Sequence, residues 1–288
     1  MLGKKKILIT FSALLIGVWA FSLFLKSDYK SEPIGEKLLN VFIMPHPPII
    51  IPEVGKMQTL KAKKTINAVS FITKQVKKAK PDTVIVITPH STVHPSMFSV
   101  FSGKIIKGNL SKFGADNVKL TLKNDTDFIE KFESNKLPEE TSLDHGSFVP
   151  IYFLQKAGYK GKFVVINYSG LNREKHVRFG KLLRKTIENS SKKFVVIASG
   201  DFSHKLSASA PYGYSPNGKI FDKKIVQEIK TGNYEALLNI DEQLLKEATQ
   251  CGYKSVLIAL GVLNMQPAQN KVFSYEAPFG VGYITASL

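Results

Sequence analysis

Histidine carries most of the chemistry available to this sequence, which has only six histidines and one cysteine in 288 residues. His46 lies in Pro45-His46-Pro47-Pro48, just past the apolar run Leu39–Met44. His90 follows the β-branched run Thr83–Thr88 (TVIVIT) by one proline, and His204 follows Phe194–Ser199 (FVVIAS) within the stretch SGDFSH. Imidazole suits iron, zinc and copper, and two histidines with one further donor leave positions free for a substrate or dioxygen. The prolines beside His46 and His90 restrict the local backbone and help to hold each ring. His145, in Leu143-Asp144-His145-Gly146, is a fourth candidate, on a loop before the apolar segment Phe148–Leu154. Asp144 either orients a nearby imidazole or caps that segment. His94 and His176, in a loop and at a helix start, read as structural.

A scaffold is then needed that delivers these segments to one place. The periodicity predicts a helix over Met57–Lys80, with Ile66, Val69, Ile72 and Val76 on one face. Pro81-Asp82 stops it, and TVIVIT reads as a buried strand. The pattern repeats with a strand at Phe163–Tyr168, a helix at Glu174–Ser190 and the buried strand Phe194–Ser199. Later helices fit Asp222–Lys230 and Tyr253–Leu263, and final strands fit Val272–Tyr275 and Val281–Ala286. Strands alternating with helices predict a single α/β domain over 39–288, with a central, largely parallel or mixed sheet flanked by helices. In such sheets ligands bind beyond the carboxyl ends of the strands, and His46, His90 and His204 all fall there. Gly280 and Gly282 in APFGVGY read as turn or close-packing glycines. Phe202, Tyr212, Tyr214 and Tyr275 line an aromatic pocket or, on the simpler reading, pack in the core.

Composition narrows the function classes. With 43% hydrophobic residues the chain has material for a sizeable core, and one cysteine excludes an intrachain disulfide and a Cys₄ or Cys₂His₂ zinc finger. The net charge of +17 favours acidic partners or surfaces. Lys61, Lys63, Lys64, Lys74, Lys77 and Lys78 read as a solvated helix face, attractive to an anionic membrane surface but lacking any nucleic-acid motif. Lys4, Lys5 and Lys6 precede the uncharged run Ile7–Leu25, which as a helix would span about 28 Å, close to a bilayer's hydrocarbon thickness. Residues 1–30 are therefore expected to form a signal-anchor or transmembrane segment, with 31–38 as a polar tether. The lysines would stay in the cytoplasm and the domain outside it; a cleaved signal peptide, leaving a secreted soluble domain, is the alternative.

Seven blocks of sequence, in order, resemble one family. They are MPHPPIIIPEVG (44–55), PDTVIVITPHS (81–91), LDHGSFVPIYFL (143–154), IASGDFSHKL (197–206), PYGYSPNG (211–218), QCGYKSVLIALG (250–261) and SYEAPFGVGY (274–283). The stretch 39–288 is similar to the proteins called AmmeMemoRadiSam system protein B. These form part of the MEMO branch of the class III extradiol ring-cleavage dioxygenase (LigB-like) superfamily.

The resemblance implies a mononuclear divalent metal, Fe(II) first and Cu or Zn next, held by His46 and His90. It makes His204 an acid–base group, Asp201 an active-site aspartate and His145 a histidine on the substrate side. Cys251 occupies the third-ligand place, where ring-cleaving relatives carry glutamate. Relatives usually carry Glu-Cys-Gly, and this chain has Gln250-Cys251-Gly252. Glu247 would substitute only if it stood one helical turn before Cys251. A thiolate is softer than a carboxylate and prone to oxidation beside activated oxygen. Cys251 as a small buried hydrophobe is the other reading.

Three functions follow as expectations. The first is a metal-dependent oxidoreductase of extradiol type acting on a small, aromatic substrate. The second is a non-oxygenase metal- or ligand-binding component working with AMMECR1-like and radical SAM proteins. The third is metal-assisted hydrolysis.

Overall fold

The computed structural model describes residues 34–288, which belong to one compact unit, Pro33–Leu288. Ten strands are described: β1 (Leu38–Met44), β2 (Thr83–Thr88), β3 (Ser99–Phe101), β4 (Ile105–Leu110), β5 (Ala115–Lys123), β6 (Asn135–Leu137), β7 (Lys162–Asn167), β8 (Phe194–Ser199), β9 (Lys271–Glu276) and β10 (Tyr283–Ser287). The longer helices are α1 (Lys63–Ala79), α2 (His145–Lys156), α3 (Arg173–Glu188), α4 (Pro216–Thr231), α5 (Tyr234–Leu238), α6 (Glu242–Ala248) and α7 (Tyr253–Val262).

A strand that is apolar at every position has to be covered on both faces. Every residue of β2 and β8 is buried. Val84 and Val86 of β2 join a core with Val69, Ile72 and Val76 of α1 and Phe148, Ile151 and Leu154 of α2. Ile85 and Ile87 face the opposite core, with Leu183 and Ile187 of α3 and Val256 and Leu260 of α7. The eight-stranded sheet runs β6-β3-β7-β2-β8-β1-β10-β9. Its centre, β7-β2-β8-β1, is parallel, while β3 joins β7 and β10 joins β1 in antiparallel sense. The domain is thus an α/β fold with a mixed central sheet between helices. β4 and β5 form a separate antiparallel hairpin.

Several elements differ from the sequence reading for identifiable reasons. α1 begins at Lys63, and Lys56–Ala62 winds as 3₁₀ turns. Met57 and Leu60 there are exposed, so no apolar face anchors an α-helical turn. α4 starts at Pro216, six residues before expectation, using proline at the position where its missing N–H costs nothing. His145 is not on a loop: it opens α2, whose N-cap is Asp144, accepting the Ser147 N–H at 3.0 Å. The region 99–137, left unassigned by sequence, holds β3 to β6. Of the expected tether 31–38, residues 34–37 form a turn in which Gly35 N–H reaches Leu38 O at 2.9 Å.

The expected membrane attachment is corrected. Among the described residues no helix is long and apolar enough to cross a membrane. The segment 1–30, on which the anchor and extracytoplasmic placement rested, lies outside those residues.

Candidate metal centre

Three neighbouring strands end level and hand over their next residues together. Met44 of β1 pairs with Ser199 of β8, and Ile87 of β2 pairs with Ala198. Two residues beyond Met44, Thr88 and Ser199 stand His46, His90 and Asp201. The two imidazoles meet with Nε2 atoms 3.1 Å apart. Cys251 Sγ lies 3.4 Å from the same His46 Nε2. The three donor atoms lie within 4.8 Å of one another.

His46 is held as a ligand would need to be. Ser199 Oγ donates to Gly146 O at 2.5 Å, and since a hydroxyl has one proton, it accepts from His46 Nδ1–H at 2.9 Å. That fixes the Nδ1–H tautomer and leaves the Nε2 lone pair facing His90 and Cys251. The Gly146 carbonyl is free for this because residue 150 is proline. In a regular helix the N–H of residue 150 would take the carbonyl of residue 146, and proline has no N–H to offer. A helix imperfection thus becomes a support for the centre. Thr88 Oγ1 donates to Asp144 Oδ1 at 2.6 Å, tying the end of β2 to the cap of α2.

Asp201 holds the other side. Its Oδ1 accepts the backbone N–H of His46 at 2.9 Å. Its own N–H points at Cys251 Sγ at 3.3 Å, and its carbonyl takes the N–H groups of Cys251 and Gly252 at 3.2 and 2.9 Å. The two backbones touch: a Cβ on Gly200 would sit 2.1 Å from Gly252 Cα. Asp201 therefore acts as a staple between the His46 loop and the Cys251 turn. Burial pushes its carboxyl up to about 7, against the pull of the His46 N–H.

The electrostatics favour neutral imidazoles. Burial, then the neighbouring histidines, hold His46 well below its usual pKa. The same causes bring His90 to about 4, although its solvent-facing side screens part of the repulsion. Burial and the Asp201 charge raise the Cys251 thiol well above its usual value.

His145 and His204 flank the centre. The His145 ring stacks on His90, with centroids 4.3 Å apart, and meets His46 edge-on at 5.4 Å. Its pKa is lowered by burial. His204 is near enough to depress both His46 and His90. Burial lowers its own pKa, partly offset by the backbone of Thr249 and Phe202, which completes no hydrogen bond to its buried Nδ1. Phe113, at the tip of the β4–β5 hairpin, faces His145 at 5.5 Å, and Tyr212 faces His204 at 5.9 Å. A cavity of about 660 Å³ opens at His90, His145 and Phe113. A second, of about 730 Å³, has Cys251 in its wall.

All six sequence candidates, His46, His90, Cys251, Asp201, His145 and His204, fall in this one region. Glu247 does not substitute for the missing carboxylate. α6 ends at Ala248, Thr249 turns left-handed at φ 50°, and Glu247 instead bonds Asn217 and Gln243. Of the four aromatic candidates, Phe202 is core, Tyr212 and Tyr214 are exposed, and Tyr275 donates to Asp222 at 2.9 Å. His176 is buried, with Nδ1 2.7 Å from Asn172 O. Ser199, Thr88 and Pro150 were missed as site residues. Their signal was position alone, at the ends of TVIVIT and FVVIAS and inside an apolar helix.

The donors fit one ion. Metal–nitrogen bonds of about 2.1 Å and a metal–sulfur bond of about 2.3 Å would give the two short separations at ligand angles of roughly 95 to 100°. Closing all three on one ion draws His90 and Cys251 together. Neutral imidazole and thiolate also suit transition metals rather than Mg²⁺ or Ca²⁺.

The chain is 34% identical over 263 residues to Protein CA_C1420 of Clostridium acetobutylicum, a match covering 85% of this chain and 56% of that protein. It thus spans little more than half of that relative's length. The fold is similar to the crystal structure of the uncharacterized protein JW3007 from Escherichia coli K12. The TM-score is 0.52 at 13% identity, over 76% of this chain and 91% of that one. Residues 40–286 match the family described as the catalytic LigB subunit of aromatic ring-opening dioxygenase. LigB dioxygenases use a mononuclear metal, typically Fe(II), and it is to this LigB family that a chain gathering its histidines at level strand ends belongs.

Proposed function

We propose that the protein binds one divalent metal ion through His46, His90 and Cys251 and is a metal-dependent oxidoreductase acting on a small, aromatic substrate. The observation that carries this reading is the convergence of two histidines and a cysteine on one point, with His46 committed to its metal-facing tautomer by Ser199. Fe(II), which we favour, would be held by these three side chains and would supply open coordination positions for a substrate and dioxygen. Around it, His204 takes the proton released by a substrate hydroxyl, its depressed pKa keeping it a base at neutral pH. His145 and Phe113 form the wall against which a flat ring lies, and Asp201 keeps His46 and Cys251 in register.

Cys251 supports a second reading. A thiolate in place of a carboxylate favours Cu or Zn and is a poor neighbour for activated oxygen. On that reading the protein is a non-oxygenase metal- or ligand-binding member of the MEMO branch. It works in an AmmeMemoRadiSam system with AMMECR1-like and radical SAM proteins.

Metal content of protein purified without added metal, repeated for His46→Ala and Cys251→Ser, tests the shared part. One ion per chain in the parent and loss in both variants is the expected result. Oxygen uptake by iron-loaded protein over a panel of catechols then separates the readings. Uptake supports the first, and unchanged oxygen leaves the second.

A further inference from the structure

α1 turns Thr65, Ala68, Val69, Ile72, Thr73 and Val76 inward. Positions three and four apart share a helix face, so Lys63, Asn67, Ser70, Lys74, Lys77 and Lys78 form the opposite stripe, about 22 Å long. Its four lysines are exposed. The preceding Lys56–Ala62 winds as 3₁₀ turns, in which residues three apart eclipse. Met57, Leu60 and Lys63 therefore line up, and the lysine stripe ends in two apolar side chains that are 75% and 63% exposed. The fold holds them out. Gly55 packs so closely that a Cβ on it would sit 1.8 Å from Ile49 O, Lys56 is turned to φ 48°, and Ala62 is buried.

The charge on this side is all of one sign. Residues 54–81 contain eight lysines and no aspartate or glutamate. The elements packed against α1 offset them little: α2 brings Lys156 and no acid, β10 no charge, and β9 Lys271 and Glu276. Glu276 accepts the Thr65 N–H at 2.7 Å, and Glu53, just before the 3₁₀ turns, accepts from the Tyr152 hydroxyl at 3.1 Å. Among the described residues none of the eight lysines forms an ion pair.

We propose that this face docks on an anionic phospholipid surface, with the lysines over the headgroups and Met57 and Leu60 inserted among them. Lysines alone suit any polyanion, nucleic acid included. The two protruding apolar side chains favour lipid, because a bilayer interface takes apolar groups in, whereas a duplex presents them with phosphates and water. The contact is peripheral: α1 lies along the surface, and no spanning helix is needed. It does not depend on the reaction proposed above. Each lysine brought to such a surface tightens association about fivefold.

The test is acetylation footprinting of the lysines in the full chain, read by mass spectrometry. The probes are phosphatidylcholine vesicles, vesicles of one part phosphatidylserine to two of phosphatidylcholine, and duplex DNA. Phosphatidylserine vesicles are expected to protect Lys63, Lys74, Lys77 and Lys78 at least about threefold, and phosphatidylcholine vesicles not at all. Lys181 and Lys185, exposed on α3 across the sheet, should react alike throughout. Lys63→Glu with Lys74→Glu should abolish the protection of Lys77 and Lys78. Met57→Ser with Leu60→Ser, which alters only exposed side chains, should cut it several-fold with every charge in place. Equal protection by the two kinds of vesicle, equal protection of the α3 lysines, or an unchanged pattern in either variant would overturn the assignment. Protection by DNA as strong as by phosphatidylserine would overturn it in favour of nucleic acid.

Discussion

Ser199 decides which nitrogen of His46 faces the centre, so it is the residue where support and chemistry can be told apart. Ser199→Ala removes the Nδ1 acceptor without touching a donor atom. Loss of such an outer partner typically lowers metal affinity by about 10- to 100-fold. A competition titration with a zinc chelator should show that drop in a folded protein, and unchanged affinity would mean the tautomer is fixed some other way. The protonation states predict a pH effect with a definite sign. His46 and His90 are neutral at pH 6 to 8, having depressed pKa values, whereas the Cys251 thiol, with a raised one, is protonated. Metal binding must therefore expel one proton, from sulfur. Affinity should rise about tenfold per pH unit across this range, and a flat profile would place Cys251 outside the ligand set. His176, away from the centre, bears on stability instead. Its folded pKa of about 4 lies below the unfolded 6.5, so the folded state binds fewer protons. Its contribution is complete above about pH 6.5 and is lost as pH falls toward 4, a swing of at most about 3 kcal/mol. The stability gap between the parent and His176→Leu should shrink on acidification in chemical denaturation, and a gap independent of pH would contradict this.

At the scale of elements, α2 shows how a local defect serves a site. Pro150 deprives the helix of one hydrogen bond and thereby keeps Gly146 O available to Ser199. Pro150→Ala lets the helix reclaim that carbonyl. The expected outcome is a melting temperature unchanged or higher, together with metal affinity reduced several-fold, a combination that a purely structural proline would not give. A fall in both would instead assign Pro150 to packing. The same proline explains why α2 was hard to read: an apolar run broken by proline resembles a loop and a strand as readily as a helix. TVIVIT and FVVIAS were legible because strands buried on both faces carry no competing pattern. The β4–β5 hairpin alternates exposed and buried residues, with Ile106, Gly108 and Leu110 facing inward. Its small inward glycine and interleaved lysine and asparagine hide that period in the sequence.

For the whole molecule, chain order says which segments end at the ligand-binding edge but not how far apart they are. His46 and His90 could be placed at strand ends from sequence. That they lie level required the register of β1, β8 and β2. Cys251 was harder still, since it sits in a turn after the left-handed Thr249 and reaches the centre through the contact of Gly200 with Gly252. No spacing rule predicts that approach. The measurement that bears most directly on the central claim is X-ray absorption of the zinc-loaded full chain. One sulfur at about 2.3 Å and two imidazole nitrogens at about 2.0 to 2.1 Å are expected, with the sulfur contribution absent in Cys251→Ser. A parent spectrum with only nitrogen and oxygen scatterers would contradict it.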